Sequence, residues 1–265
     1  MTIQLEANLQ NLRAKAPLVH NITNFVVMNF TANALLAIGA SPVMAHAVEE
    51  VEDMVSIAGA LVVNIGTLSP LWVEGMHSAM AKAAQTGKPI VLDPVGAGAT
   101  PYRNNVLTAL LEAAPPAIIR GNGSEILALA GASIQTKGVD STADSTDSIG
   151  AARALSERFG SVVSVSGAVD VIVHGNRTAW ISNGVPLMTK VTGMGCSASA
   201  LAGAFAAVVT DPFEAAVSAA VTMGVCGELA YRAAKLPGSF QIAFLDTLSD
   251  ISPAHLAELS KIRLE

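Results

Sequence analysis

The chain has 265 residues, 51% of them hydrophobic and 14% charged, with a formal net charge of −6. That composition excludes a disordered chain, which needs little apolar surface and much charge. It shows no basic face or tail and only 4% aromatics, so it does not describe a nucleic-acid binder.

In chain order, short apolar runs alternate with helical patterns. Leu5, Leu9 and Leu12 mark a helix, Leu18 to Ile22 a strand, and a helix runs from about Asn24 to a C′ glycine at Gly39. Val43-Met44 reads as a short strand. Val48, Val51, Met54, Val55 and Ala58 mark an amphipathic helix with Glu49, Glu50, Glu52 and Asp53 outside. Leu61 to Ile65 is a buried strand. Ser69-Pro70 is an N-cap with proline at N1, opening a helix that stops at Gly87. Ile90 to Leu92 is a strand ending at Asp93, and a helix covers roughly Arg103 to Ala113. Ala117 to Ile119 is a strand, and Ser124 to Ala130 a helix closed by Gly131. The Ser-, Thr- and Asp-rich stretch Lys137 to Ser148 reads as a surface loop. Asp147 to Phe159 is a helix closed by Gly160; Ser161 to Val165, Val171 to Val173 and Thr178 to Ile181 are strands. After Lys190 the chain reads as helical to its end, broken near Asp211-Pro212, Pro237-Gly238 and Pro253.

Repeated βα units with continuous apolar strands predict a three-layer α/β/α fold with a mostly parallel central sheet, as one domain over residues 1–265. Two uncharged stretches call for a membrane check. Ala16 to Val48 is interrupted by Asn21, Asn24, Asn29 and Asn33, and Val191 to Thr210 is mostly Ala, Gly and Ser, so neither reads as a signal sequence or span. Cys196 and Cys226 form neither a disulfide framework nor a zinc motif, which suits a reducing, cytoplasmic setting.

Ligands of such folds bind beyond the carboxyl ends of the strands. Thr192-Gly193-Met194-Gly195-Cys196 precedes a small-residue helix, where backbone amides and the helix dipole make an anion site; a plain glycine-rich loop is the alternative. The same dipole should favour the thiolate of Cys196. That residue reads as a nucleophile, a weak base, a substrate contact or a small buried apolar group. Asp93 stands at a strand end where a metal-held nucleotide could sit, or serves as a plain turn cap; Gly96 and Gly98 lack the third glycine of the dinucleotide motif, where Pro101 stands, and Gly87-Lys88 is followed by Pro89, not by the Ser or Thr of a phosphate loop. Arg120 can pair with phosphate. Asn122 and Glu125, three apart at a helix start, serve either as caps or, for Glu125 with Asp93, as two carboxylates for Mg²⁺. Ser166-Gly167 closes a strand and could touch a nucleotide. Thr23 and Asn24 cap a helix or read a small polar ligand, and Met44 follows a third early strand.

Taken together, VHNITNFVVMNFTANALLAIGASPVMAHAVEEVEDM, NIGTLS, LDPVGAGATPYR, RGNGSE, KVTGMGCSASALAGAF and GSFQIAFLD, in that order, resemble the hydroxyethylthiazole kinases of thiamine salvage, a branch of the ribokinase-like superfamily. The resemblance implies ATP- and Mg²⁺-dependent phosphorylation of the alcohol of 4-methyl-5-(2-hydroxyethyl)thiazole. It implies that Gly193, Met194, Gly195 and Cys196 form an anion hole against the reacting hydroxyl, and that Asp93 and Glu125 organise Mg²⁺. Arg120, Asn122 and Ser166 would contact ATP; Met44, Gly193 and Asn24 would line the thiazole site. It also implies a homotrimer with sites at subunit boundaries. Cys196 stands where many ribokinase-like enzymes carry Asp, and Met194 is bulky for such a loop. A kinase of another heterocyclic alcohol, a thiol-dependent transferase using Cys196 and a non-catalytic binder are the competing readings.

Overall fold

The computed structural model describes residues 2–134 and 148–265. Of the stretch expected to be a surface loop, all but Ser148 lies outside the described residues, as does Asp147. Nine strands form one sheet in the order β2-β1-β3-β4-β5-β6-β7-β8-β9. These are β1 Leu18–Ile22, β2 Ser41–Val43, β3 Ala60–Asn64, β4 Ile90–Asp93, β5 Ile118–Asn122, β6 Val162–Ser166, β7 Asp170–His174, β8 Arg177–Ile181 and β9 Ile262–Leu264. The first six pair in parallel and the last three add antiparallel.

Helices cover both faces, as continuous apolar strands require. Val19, Val62, Val91, Ile118 and Val162 face α1 (Leu5–Lys15), α2 (Met28–Ile38), α8 (Met194–Ala206), α9 (Pro212–Ala233) and α10 (Pro237–Asp250). Leu61, Val63, Leu92, Ile119 and Val163 face α3 (Val51–Ile57), α4 (Pro70–Gln85), α5 (Pro101–Ala113), α6 (Gly123–Ile134) and α7 (Ile149–Phe159). Helix α11 (Pro253–Leu259) leads into β9. Ser69 caps α4 by accepting from Trp72 N, and Gly39 and Gly160 close α2 and α7 in the left-handed region, as expected. Helix α9 is the one described helix long and apolar enough to cross a membrane; 78% of its apolar window is buried against the other elements, which marks a core helix.

Five boundaries depart from expectation. Strand β5 does not stop at Ile119 but runs through Arg120 to Asn122, because the ladder to β6 continues to Ser166. Helix α2 starts at Met28, not near Asn24, because Asn24 Oδ1 accepts Val26 N and Phe25 N donates to Thr67 Oγ1, drawing these residues into a loop. Helix α3 starts at Val51, after a turn in which Glu50 N bonds Ala47 O. Helix α6 runs through Gly131 to Ile134; a mid-helix glycine costs about 1 kcal/mol, which its Ala and Leu neighbours tolerate. The C-terminal stretch is not helical throughout: Ile262–Leu264 forms a three-residue edge strand on β8, too short and too charged at its flanks to show a period.

Helix α8 lies on the centre of the sheet because its inner face is almost bare. A Cβ built at Gly203 would stand 2.5 Å from Val62 Cγ2, backbone against strand. Gly203→Val is therefore expected to lower stability by about 1–3 kcal/mol through overpacking. Thermal unfolding checks this; an unchanged midpoint would mean that α8 can lift without cost.

Candidate active site

The alternation that points Val62, Val91, Ile118 and Val162 at α8 sends the residues two further along each strand the same way. Asn64, Asp93, Arg120 and Ser164 thus form a polar row at the carboxyl ends, beneath the start of α8. Register pairs Asn64 with Asp93 and Arg120 with Ser164, and Asn122 with Ser166 one step beyond.

Asp93 is the centre of the row and is 3% exposed. Its Oδ2 accepts Asn64 Nδ2 at 2.9 Å and Ser199 Oγ at 2.7 Å. Asn64 Oδ1 in turn accepts Asn24 Nδ2 at 2.9 Å and Gly66 N at 2.9 Å, and Asn24 Nδ2 reaches Cys196 Sγ at 3.5 Å. A continuous hydrogen-bonded chain therefore joins Asp93 to Cys196. Burial pushes the Asp93 carboxyl up to about 7; Arg120 opposes this and the charge of Glu125 adds to it.

Gly193, at φ +92°, turns the chain into α8, which has no side-chain cap. The first amides of such a helix lack intrahelical acceptors and point outward with the positive end of the dipole. Ser197 N takes Gly193 O, leaving Gly195 and Cys196 amides at the mouth. Arg120 Nη1 donates to Gly195 O at 3.0 Å, so the guanidinium stands beside that mouth. A Cβ at Gly195 would meet only Arg120 Nη1, at 3.7 Å; it would occupy the cradle between helix end and guanidinium.

Asn122 and Glu125 form a capping box. Asn122 Oδ1 accepts Glu125 N and Glu125 Oε2 accepts Asn122 N, both at 2.9 Å. Glu125 Oε1 also takes Gly96 N at 2.9 Å, tying the loop after β4 to α6. Arg103 fastens that loop to the one after β3, donating to Ile65 O, Gly66 O and Val95 O at 2.6–2.8 Å.

Arg120, Asn122, Ser166, Gly195 and Met194 line a cavity of about 600 Å³ that extends over β6 and β7 to α9. On the other side of Asp93, Met44 lies half-buried just past β2, near the sheet's edge. Trp72 is stacked there between Phe25 and His46, at 4.6 and 4.5 Å. His20, in β1 beside this region, donates Nε2–H to Ala45 O, and burial holds its pKa down. Reasoning from sequence missed Asn64, Ser199, Arg103 and Gly66. Asn64 was open to discovery, since it ends a strand as Asp93 does.

The expected thiolate is contradicted. Cys196 does sit in the first turn of α8, but burial and the neighbouring Asp93 charge push its thiol up to about 11. Desolvation outweighs the helix dipole, whose effect is on the order of 1 kcal/mol.

A model of the hydroxyethylthiazole kinase family matches residues 9–254. The chain is 57% identical over 245 residues to the hydroxyethylthiazole kinase of Leptospira biflexa, covering 92% of each. It is 55% identical over 257 residues to that of Syntrophus aciditrophicus, covering 97% of this chain and 95% of the relative. The solved hydroxyethylthiazole kinase of Pyrococcus horikoshii superposes with a TM-score of 0.92 at 45% identity, covering 98% of both chains. A pyridoxal kinase of Staphylococcus aureus shares the fold alone, with a TM-score of 0.61 at 15% identity over 80% of this chain and 88% of that one.

A thiol at about 11 exposes little thiolate. Alkylation of Cys196 by iodoacetamide at pH 8 is expected to run about 100-fold slower than for an ordinary cysteine, and to keep accelerating above pH 9. Mass spectrometry of the modified peptide measures it; complete labelling within minutes at pH 7 would restore the thiolate.

Proposed function

The chain belongs to the hydroxyethylthiazole kinase family, and from that premise we propose how its own residues carry out the phosphoryl transfer. It phosphorylates the hydroxyl of 4-methyl-5-(2-hydroxyethyl)thiazole, a step of thiamine salvage, with ATP as co-substrate. The single observation that carries the residue assignment is the polar row at the strand ends. It sets a buried carboxylate, a guanidinium and an uncapped helix N-terminus around one point.

In this reading the whole chain works as one kinase domain. ATP lies in the cavity of about 600 Å³, its phosphates toward Arg120 and Asn122, its base toward the apolar wall of α9. Ser166, whose hydroxyl bonds only Gly121 O at 3.4 Å among the described residues, is free to turn to the phosphates. Gly193 turns the chain so that the amides of Gly195 and Cys196 face the transferring group and take up the charge that develops on it; the Met194 amide is bonded to Val191 O, and its bulky side chain lines the cavity wall. Thiazole sits on the side of Asn24, Met44 and Gly193, its hydroxyl near Cys196 and Asn24.

Asp93 and Glu125 are the residues that would hold Mg²⁺. They suit a cation carried in on phosphate, which needs only one or two protein carboxylates. Among the described residues no three acidic, His or Cys groups form a cage. Burial is the main cause of the raised Asp93 pKa; Arg120 opposes it, and the smaller repulsion from Glu125 is one that a cation between the two carboxylates would relieve. Mg²⁺ bound there would neutralise phosphate charge during transfer.

The exposed rings and chains of Phe25 and Val26, 65% and 68% open directly beside Asn24, together with Leu71, support a homotrimer whose subunit boundary closes the thiazole side. A cytoplasmic location suits the two unpaired cysteines.

Purified protein with Mg-ATP is expected to release ADP only when the thiazole is present, with a phosphate ester in the product; no release would remove the substrate. Asp93→Ala and Glu125→Ala are each expected to lower kcat at least about 100-fold and to weaken the Mg²⁺ dependence. Cys196→Ala is expected to lose less than the roughly 100-fold that a true general base supplies. Since the deprotonated carboxylate takes the cation, kcat/KM is expected to rise with pH through about 7, the value at which Asp93 titrates. A flat profile from pH 6 to 8 would dissociate that carboxylate from the rate.

A further inference from the structure

Among the described residues, one carboxylate lines the cavity assigned above to ATP, and the phosphoryl-transfer reading gives it no role. Asp170 opens β7, on the same face of the sheet as Ile172 and therefore on the α8 and α9 side. Its Oδ1 accepts Gly167 N at 2.9 Å, which pins the β6–β7 turn. Among the described residues no other hydrogen bond to this carboxylate appears.

Register locates it relative to the phosphates. Asn122 pairs with Ser166, and the pairing of Val165 with Val171 sets Asp170 opposite Ser166. Asp170 therefore stands two strand spacings from Asn122, about 10 Å. Arg120, at the phosphate end, is close enough for its charge to act on Asp170. The lining also carries an apolar wall, with Val185, Met188, Ala219 and Met223. Among the described residues it thus combines a cation, one carboxylate about two strands away and apolar surface. A nucleoside triphosphate carries the matching groups: phosphates, a sugar with hydroxyl donors and a base.

Ser164 and Ser166 lie on the phosphate side of Asp170, and two further polar side chains of the lining are already committed. Asn183 donates to Glu228 and to Leu259 O and accepts from Lys261 N; Thr189 donates its hydroxyl to Pro186 O. We propose that Asp170 is a specificity-determining residue that accepts the ribose hydroxyls of ATP through its unshared oxygen. A carboxylate there cannot serve phosphate, because like charges repel. It matches the role that an acidic residue plays toward ribose hydroxyls in dinucleotide-binding folds, here reached from the opening of an antiparallel strand. Burial raises the pKa of Asp170, the mark of a carboxyl short of donors until a ligand brings them.

This inference rests on the placement of ATP in the cavity, and the test separates the two. The holoenzyme is assayed with ATP, 2′-deoxyATP, 3′-deoxyATP and inosine triphosphate, and binding of ADP and deoxyADP is measured by calorimetry without turnover. The wild type is expected to show KM and Kd at least about ten-fold higher for a deoxy nucleotide, the scale of one charge-assisted hydrogen bond. Asp170→Asn keeps an acceptor for Gly167 N and is expected to shrink that ratio to under about three-fold. The proposal is overturned if the wild type does not distinguish ribose from deoxyribose, or if Asp170→Asn retains the full ratio. It is equally overturned if the variant alters only discrimination against inosine triphosphate, which would move the contact to the base. Should Asp170→Asn not fold, Asp170→Ser replaces it, and a wild-type ratio near one still overturns the idea. Arg120→Ala reports on the cavity itself: an unchanged KM for ATP there removes the nucleotide placement, whereas a raised KM with no effect at Asp170 removes only the ribose contact.

Discussion

Asp93 ends a parallel strand with its carboxylate out of water, and the two side chains hydrogen-bonded to it, Asn64 and Ser199, are both neutral. Burying a carboxylate costs several kcal/mol, and neutral donors offset only part of it. The carboxyl accordingly titrates near 7. Most of what surrounds it is arranged to hold this group without neutralising it. Arg120 is near enough to lower its pKa but gives its own hydrogen bond to Gly195 O. Arg103, the other cation nearby, spends itself on three loop carbonyls. The site therefore keeps an unmet demand for positive charge at one point, which is the electrostatic condition for taking a cation from solution on a phosphate.

That arrangement depends on how closely α8 approaches the sheet. Ser199 reaches Asp93 because α8 lies with Gly203 against Val62, and its Ala and Ser residues add no bulk between. Larger side chains on that face would lift the helix off the strands, and the Ser199 hydroxyl would fall short. The same closeness carries the α8 N-terminus over the ends of β4 and β5. Packing and chemistry are thus set by one feature, a run of small residues whose helix propensity is modest for its glycines. Its stability comes from burial, as expected where tertiary contacts dominate.

Much of this was legible from the chain alone. Strand ends were marked by the apolar runs closing at Asp93 and Ser166, and Gly193 by the loop before a small-residue helix, whereas β5 runs past its apolar residues through Arg120 to Asn122. What stayed hidden depends on register. Asn64 and Asp93 become partners only when β3 and β4 are aligned, and nothing in the linear order of NIGTLS and LDPVG supplies that alignment. Asn24 was weighed as a cap; in the fold it leaves the helix altogether to bridge Asn64 and Cys196. The Asn122 and Glu125 pair carried two readings, cap and carboxylate site. The geometry realises the cap and leaves the carboxylate available, because backbone amides hold it without cancelling its charge. The edge strand β9 was missed because three residues between charges carry no period.

Cys196 was misjudged for a different reason, one of magnitude. A first-turn position suggests a lowered pKa, but the dipole term is small beside burial next to a carboxylate, and the thiol ends near 11. At pH 7 about one molecule in ten thousand then carries the thiolate. A base so rarely available fits a reaction in which the protein mainly positions the groups and stabilises charge. A thiol rather than a carboxylate at position 196 also has an electrostatic sense here. Two buried carboxylates at this distance could not both stay ionised, and one pKa would rise sharply. A neutral thiol bonded by Asn24 leaves the full demand for positive charge with Asp93, at the cost of a base that is seldom available.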